Sequence, residues 1–313
     1  MRDFSPESPE ARSHRTRWDR SLAQLRPGAR LYEVVKRIAI GVYSDGFIHA
    51  GNLAYLALLT LFPFFIVTAA LAHFLGQGTD TMVAIDSFTR NLPKSIREML
   101  KQPIADVLAQ RTGSLLWLGA LVGLWTTGSF IETIRDILRR AYGVTFSKPF
   151  WHYRLGSIAL IIAAVMLTLI AFTLQLALTG AEQFVLHLLP FAHWLVSWIG
   201  WSRLAPIATL FVALYLIFYT LTPSKYRYAS CPKWPGALFT TAWWTAVTQA
   251  LPWVLALLGG YNRTYGSLAG VIVTLIFFWF VGFGLVIGAQ LNAALAETPD
   301  EGLKDGEAAT EEE

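Results

Sequence analysis

The sequence predicts an all-α polytopic membrane protein, a bundle of six transmembrane helices with amphipathic helices lying in the interfaces. Three observations predict it. Of 313 residues, 54% are hydrophobic and only 15% charged, and the mean hydropathy is positive. Soluble domains carry roughly a quarter charged residues, so the deficit points to lipid as the solvent. Six apolar stretches reach the roughly 20 residues that cross a hydrocarbon core. Twelve Trp and eleven Tyr suit a chain with two membrane–water interfaces, where one end of such a ring is dry and the other wet.

The elements follow in order. Residues 1–28 form a basic arm: up to residue 46 the chain holds nine Lys and Arg, from Arg2 to Arg37. Beside a membrane span such an arm sets topology and touches anionic lipid rather than nucleic acid, and its polarity predicts disorder. The membrane domain is expected over 29–296. It opens with a helix near 30–44, where Leu31, Val34, Val35, Ile38 and Val42 share one face and Arg30, Glu33, Lys36 and Arg37 turn away. This helix lies in the inner interface and leads into the first span. The apolar run from Phe47 begins too far along the chain for a cleaved signal.

The spans are Phe47–Leu75, Ser114–Ile134, Leu155–Thr179, Leu204–Leu221, Gly236–Leu258 and Ser267–Leu295. Between the first two, an outer helical loop near 79–112 carries Ile96, Met99, Leu100, Ile104, Val107 and Leu108 as an apolar stripe. Residues 297–313 hold eight acids and one Lys without apolar periodicity, which predicts a solvated tail. With both ends in the cytoplasm, 18 of the 25 Lys and Arg fall inside and seven outside, as the positive-inside bias requires. The single cysteine, Cys231, excludes an intrachain disulfide and a multi-cysteine metal site.

Polar groups within the spans are the candidate functional residues, because each must meet a partner or water. His49 and Asn52 sit three apart at the inner edge of the first span, and Tyr55 continues their face. They serve either as an interhelical bond with a headgroup contact, the commoner use, or as the mouth of a cavity. Pro63 removes one backbone bond midway along. In the second span Glu132 and Asp136 form a like-charged i, i+4 pair that needs Arg135 or another cation. Glu132 reads equally as a wetted charge at the helix exit or as a carboxylate on a solute path. Gln249 on the fifth span, and Gln290 and Asn292 on the sixth, are neutral and suit interhelical bonds or hydroxyl-bearing ligands. Arg263, beside Tyr265 in the outer turn, is an interface anchor or a phosphate contact.

Four motifs carry a resemblance: "LAYLALLTLFP", "TIRDILRRAYGV", "WPGALFTTAWW" and "TYGSLAGVIVTLIFFWFVGFGLVIGAQLNAAL". In this order they resemble the YihY/BrkB family of bacterial inner-membrane proteins, over residues 30–296. Leu53, Ala54, Tyr55 and Pro63 match its first-span motif, and Trp125, Ala141, Tyr142 and Gly143 its second. Pro235 and Gly236 match the start of the fifth span, and Tyr265, Gly266, Gly288 and Asn292 the sixth. The family often has Ser at Thr60, Asn at Arg139 and Glu at Gln290, so a role needing an ionisable group at 290 does not carry over. The resemblance implies envelope-lipid handling, serum resistance and an old ribonuclease label. The six scattered histidines form no pattern able to hold a two-metal nuclease centre.

Together these readings predict a non-enzymatic protein of the bacterial inner membrane that moves or accommodates a lipid or lipid-like amphiphile. Two alternatives stay open: a scaffold for envelope partners, and a small-solute or proton-coupled exporter using Glu132. Membrane lipids are the expected partners, with a homo-oligomer or envelope proteins left open. No nucleic acid, metal or cofactor is expected, and no nucleotide-binding loop occurs.

Overall fold

A computed structural model describes residues 4–13, 29–74, 114–145, 151–162, 205–228, 231–257 and 269–296. Most of the expected third span and the whole of the outer loop at 79–112, Arg263, Tyr265 and the acidic tail lie outside them. Among the described residues the structure is helical, without a strand.

The helices are α1 (Pro9–Ser13), α2 (Ala29–Gly41), α3 (Phe47–Phe74), α4 (Ser114–Tyr142), α5 (151–162), α6 (Ala205–Leu221), α7 (Ser224–Arg227), α8 (Trp234–Leu257) and α9 (Ala269–Leu295). Between α2 and α3 the chain stays helical through one wide π turn, Val42–Gly46. The amphipathic helix therefore runs directly into the apolar one, and α3 continues through Pro63. The α9 helix is long and apolar enough to cross a membrane, and Phe47–Thr60 and Ile207–Leu221 are shorter apolar segments.

The chain divides into two compact units. One comprises Met1–Leu58, Phe130–Lys148 and Phe211–Glu313, the other Leu59–Ser129 and Pro149–Leu210. In the first, α8 and α9 form the most extensive helix pair, and α2 and the π turn also pack on α9. Its core holds Leu53, Ile137, Leu138, Tyr142, Phe218, Tyr226 and Val286. Small residues let the backbones approach. A Cβ at Gly236 would strike the Gly288 carbonyl and the Asn292 amide, and one at Gly41 would strike the Gln290 amide.

The α4 helix outruns its expected apolar span by two turns, to Tyr142. It stops at Gly143, whose φ of 78° is the left-handed conformation that glycine adopts cheaply. Gly143 N–H donates to the Arg140 carbonyl (3.2 Å) and Val144 N–H to that of Arg139 (3.0 Å). This paired closure satisfies the last carbonyls of the helix.

In the second unit the notable feature is Arg154, one of the 18 Lys and Arg that the sequence assigns to the cytoplasmic side. It is buried, 3% exposed. Its guanidinium stands 3.9 Å from the Trp125 ring centroid and donates to the Trp125 carbonyl (2.6 Å) and the Ser129 hydroxyl (3.2 Å). Gly128 makes room, since a Cβ there would stand 3.2 Å from the guanidinium carbon. An arginine can be buried this way because its planar face stacks while its edge donates.

Candidate functional site

The polar groups of the first unit gather where α4 and α9 end and where α7 and α8 begin. Asn292 is the centre of one half. It is 1% exposed. Its Oδ1 accepts from Gly236 N–H (2.7 Å), and its Nδ2 donates to the Lys233 carbonyl (3.1 Å). Gly236 is the third residue of α8, so its amide lacks an acceptor within its own helix, and a side chain of α9 supplies one. Thr240 Oγ1 donates to the Gly236 carbonyl (2.8 Å) and reaches that of Gly284 (3.3 Å). One turn further on, the indole N–H groups of Trp243 and Trp244 donate to the carbonyls of Phe280 and Val281, each at 2.8 Å.

Cations line the other half. Arg139 Nε donates to Asp136 Oδ1 (3.1 Å) and Arg140 Nε to Asp136 Oδ2 (2.7 Å). Burial pushes the Asp136 carboxyl up, but the bonds and charges of both arginines outweigh it and hold the group below its ordinary range. Lys233 is buried and donates from Nζ to the carbonyls of Tyr226 (2.8 Å) and Arg227 (2.9 Å), with burial pulling its ammonium down. Arg37 donates to the Ala294 carbonyl at the end of α9 (3.3 Å), where a cation meets the negative end of the helix dipole.

The N-terminal segment joins this cluster. Residues 4–13 fall in the arm that the sequence assigns to disorder, yet they are docked. Ser5 N–H donates to the Arg140 carbonyl (3.2 Å), and Arg12 donates to the carbonyls of Ala293 (3.0 Å) and Ala296 (2.8 Å). Ser8 lies 1% exposed against Gly143. Glu10 accepts from the Tyr226 hydroxyl (2.8 Å) and pairs with Lys225 (3.0 Å). Local polarity gave no sign of this, because every partner comes from elsewhere in the chain.

The candidates named from sequence therefore separate. Gln290 and Asn292 are buried on α9, while Glu132, Arg135 and Asp136 are half-buried on α4. Arg139 and Arg140 compensate Asp136. Asn52 and Tyr55 stand on an exposed stripe of α3 with Ile48 and Leu59, and Gln249 is exposed on α8. Sequence reasoning missed Glu10, Arg12, Tyr226, Lys233 and Arg154. Among the described residues no group of three His, Cys, Asp or Glu stands close enough to hold a metal ion.

The family model for virulence factor BrkB matches residues 44–313. The chain belongs to the BrkB family. Its relatives include YfkH of Bacillus subtilis, a protein named only as ribonuclease-like, 30% identical over 82% of this chain and 94% of its own. The UPF0761 membrane protein PSHAa0171 of Pseudoalteromonas translucida is 23% identical over 83% of this chain and 86% of its own. A UPF0761 membrane protein of Mannheimia succiniciproducens, MS0032, is 24% identical over 79% and 84%. No solved structure matches. The chain is thus an integral membrane protein of a family several of whose members are named as membrane proteins. Several residues that carry the resemblance are contact residues here: Tyr142 and Gly143 close α4, and Gly236, Gly288 and Asn292 bring α8 onto α9.

Proposed function

We propose that this BrkB-family protein is a six-span bundle of the bacterial inner membrane, both termini cytoplasmic, that accommodates or translocates a lipid or lipid-like amphiphile without covalent chemistry. One juxtaposition carries the reading. The α6 helix presents Val212, Tyr215, Leu216 and Tyr219 outward, with Phe211, Tyr215 and Tyr219 stacked along it. It is followed by Thr222 and, on α7, Lys225 and Arg227, and the N-terminal segment that pairs with Lys225 through Glu10 also bonds the Arg140 carbonyl through Ser5. An anionic headgroup with acyl chains needs this pairing of a cationic end and an apolar flank.

The test is reconstitution of the purified protein into liposomes holding fluorescent phospholipids or a lipid A precursor. Transbilayer exchange should exceed that of protein-free vesicles for at least one anionic lipid. Rates equal to the protein-free rate for every lipid would overturn the reading.

A further inference from the structure

The segment 4–13 lies outside the part of the chain that matches the BrkB family, which begins at residue 44. It nevertheless sits on residues inside that part. It carries Glu10, whose Oε1 is the meeting point of two donors, the Tyr226 hydroxyl (2.8 Å) and Lys225 Nζ (3.0 Å). Tyr226 is 0% exposed and packs on Tyr142 with ring centroids 5.0 Å apart, so its hydroxyl has a fixed direction. Two converging donors, one cationic and one rigid, make an anion site, and the chain's own carboxylate fills it. Other contacts of the segment include Ser5 to Arg140, Arg12 to Ala293 and Ala296, and Phe4 under Arg139 (5.6 Å), with Ser5 and Ser8 buried. Fifteen residues, 14–28, separate it from α2.

We infer that Lys225 and Tyr226 form a binding site for a phosphate-type anion and that residues 4–13 are a cis latch whose Glu10 occupies it. A phosphate competes with Glu10 for the same two donors. Its arrival frees the segment and uncovers Ser8, Arg139 and the carbonyls at the end of α9. The phosphate belongs either to a lipid headgroup or to a free ion. The inference deepens the cationic end of the proposed lipid site at Lys225, but its test is separable, since a latch can respond to phosphate in a protein that flips nothing.

Ser8→Cys turns the latch into a measurable gate, because a thiol at this buried position reacts with maleimide only when the segment leaves. The parent protein, with buried Cys231, gives the background. In the full-length protein in a neutral detergent, short-chain phosphatidylglycerol should accelerate modification about tenfold, and an uncharged glucoside of equal chain length should not. Acceleration by inorganic phosphate as well assigns the site to the bare anion, whereas acceleration by the lipid alone assigns it to headgroups. Glu10→Gln should raise the unliganded rate about tenfold, the loss of one charge-assisted bond, and Lys225→Gln should remove the response. Should Ser8→Cys fail to fold, equilibrium dialysis of labelled phosphate carries the same test, with uptake stronger in Glu10→Gln and lost in Lys225→Gln. Modification and uptake indifferent to both anions, or an undiminished response in Lys225→Gln, would overturn the inference.

Discussion

Replacing Asn292 by Ala tests whether α8 is held on α9 by a borrowed cap. The truncation removes two bonds, but they are not equal. The Lys233 carbonyl still accepts from Ala237 N–H (3.4 Å), so losing Nδ2 leaves it partnered. The Gly236 amide loses its acceptor (2.7 Å) in a place where water does not reach, Asn292 being 1% exposed. An orphaned buried donor costs about 1–3 kcal/mol. Interhelical bonds in membrane proteins average nearer 0.6 kcal/mol, because separated helices find other partners. A helix N-terminal amide in a close glycine contact has few alternatives, so about 2 kcal/mol is expected, roughly a thirtyfold fall in the folded-to-unfolded ratio. The assay is equilibrium unfolding in mixed micelles followed by Trp fluorescence. Asn52→Ala is the control: the same amide, but exposed, should shift stability by less than about 0.5 kcal/mol. Equal effects of the two substitutions would refute the borrowed cap.

Other expectations follow from the same contacts. Gly236→Ala should cost about 1–3 kcal/mol, since its Cβ meets the backbone of Gly288; Gly51→Ala, with open space around it, should be neutral or stabilising by about 0.5 kcal/mol. The pair can be read by thermal unfolding in detergent. Gly143→Ala puts a side chain at φ 78° and 2.9 Å from Ser8 Cβ, so hydrogen exchange over residues 4–13 should quicken, with about 1–2 kcal/mol lost. Asp136 has a folded pKa below its ordinary 3.8. Its contribution is therefore fully present above that value and lost as pH falls through the lower one. Asp136→Asn should lower stability at neutral pH and flatten the acid limb of the unfolding midpoint measured against pH. Glu132→Gln should leave lipid exchange within about twofold, whereas abolished exchange would move the reading towards a carboxylate-dependent solute path.

By itself the sequence determined the solvent and the helices that follow from it. A run such as Ala269–Leu295 is apolar all round, and the stripe from Leu31 to Val42 is apolar on one side; both properties are sums over neighbouring residues and need no partner to be read. The expected helix near 30–44 is accordingly found at Ala29–Gly41 and its π turn. The end of α4 was less legible, because Asp136, Arg139 and Arg140 look like a helix leaving the membrane until their mutual pairing, at i, i+3 and i, i+4, is seen to carry the helix on to Tyr142. Only the tertiary structure decided the pairings of the polar groups. Asn292 finds Gly236 across 56 residues, and Glu10 finds Tyr226 across 216. Arg154 is buried against Trp125 and Gly128. Such contacts depend on which face each helix turns to its neighbour and at what height, and a hydrogen bond that tolerates a few tenths of an ångström is lost if either is wrong. Hydropathy averages over turns of helix and holds no record of that register, so Asn52 and Asn292 read alike in sequence although one is exposed and the other caps a helix.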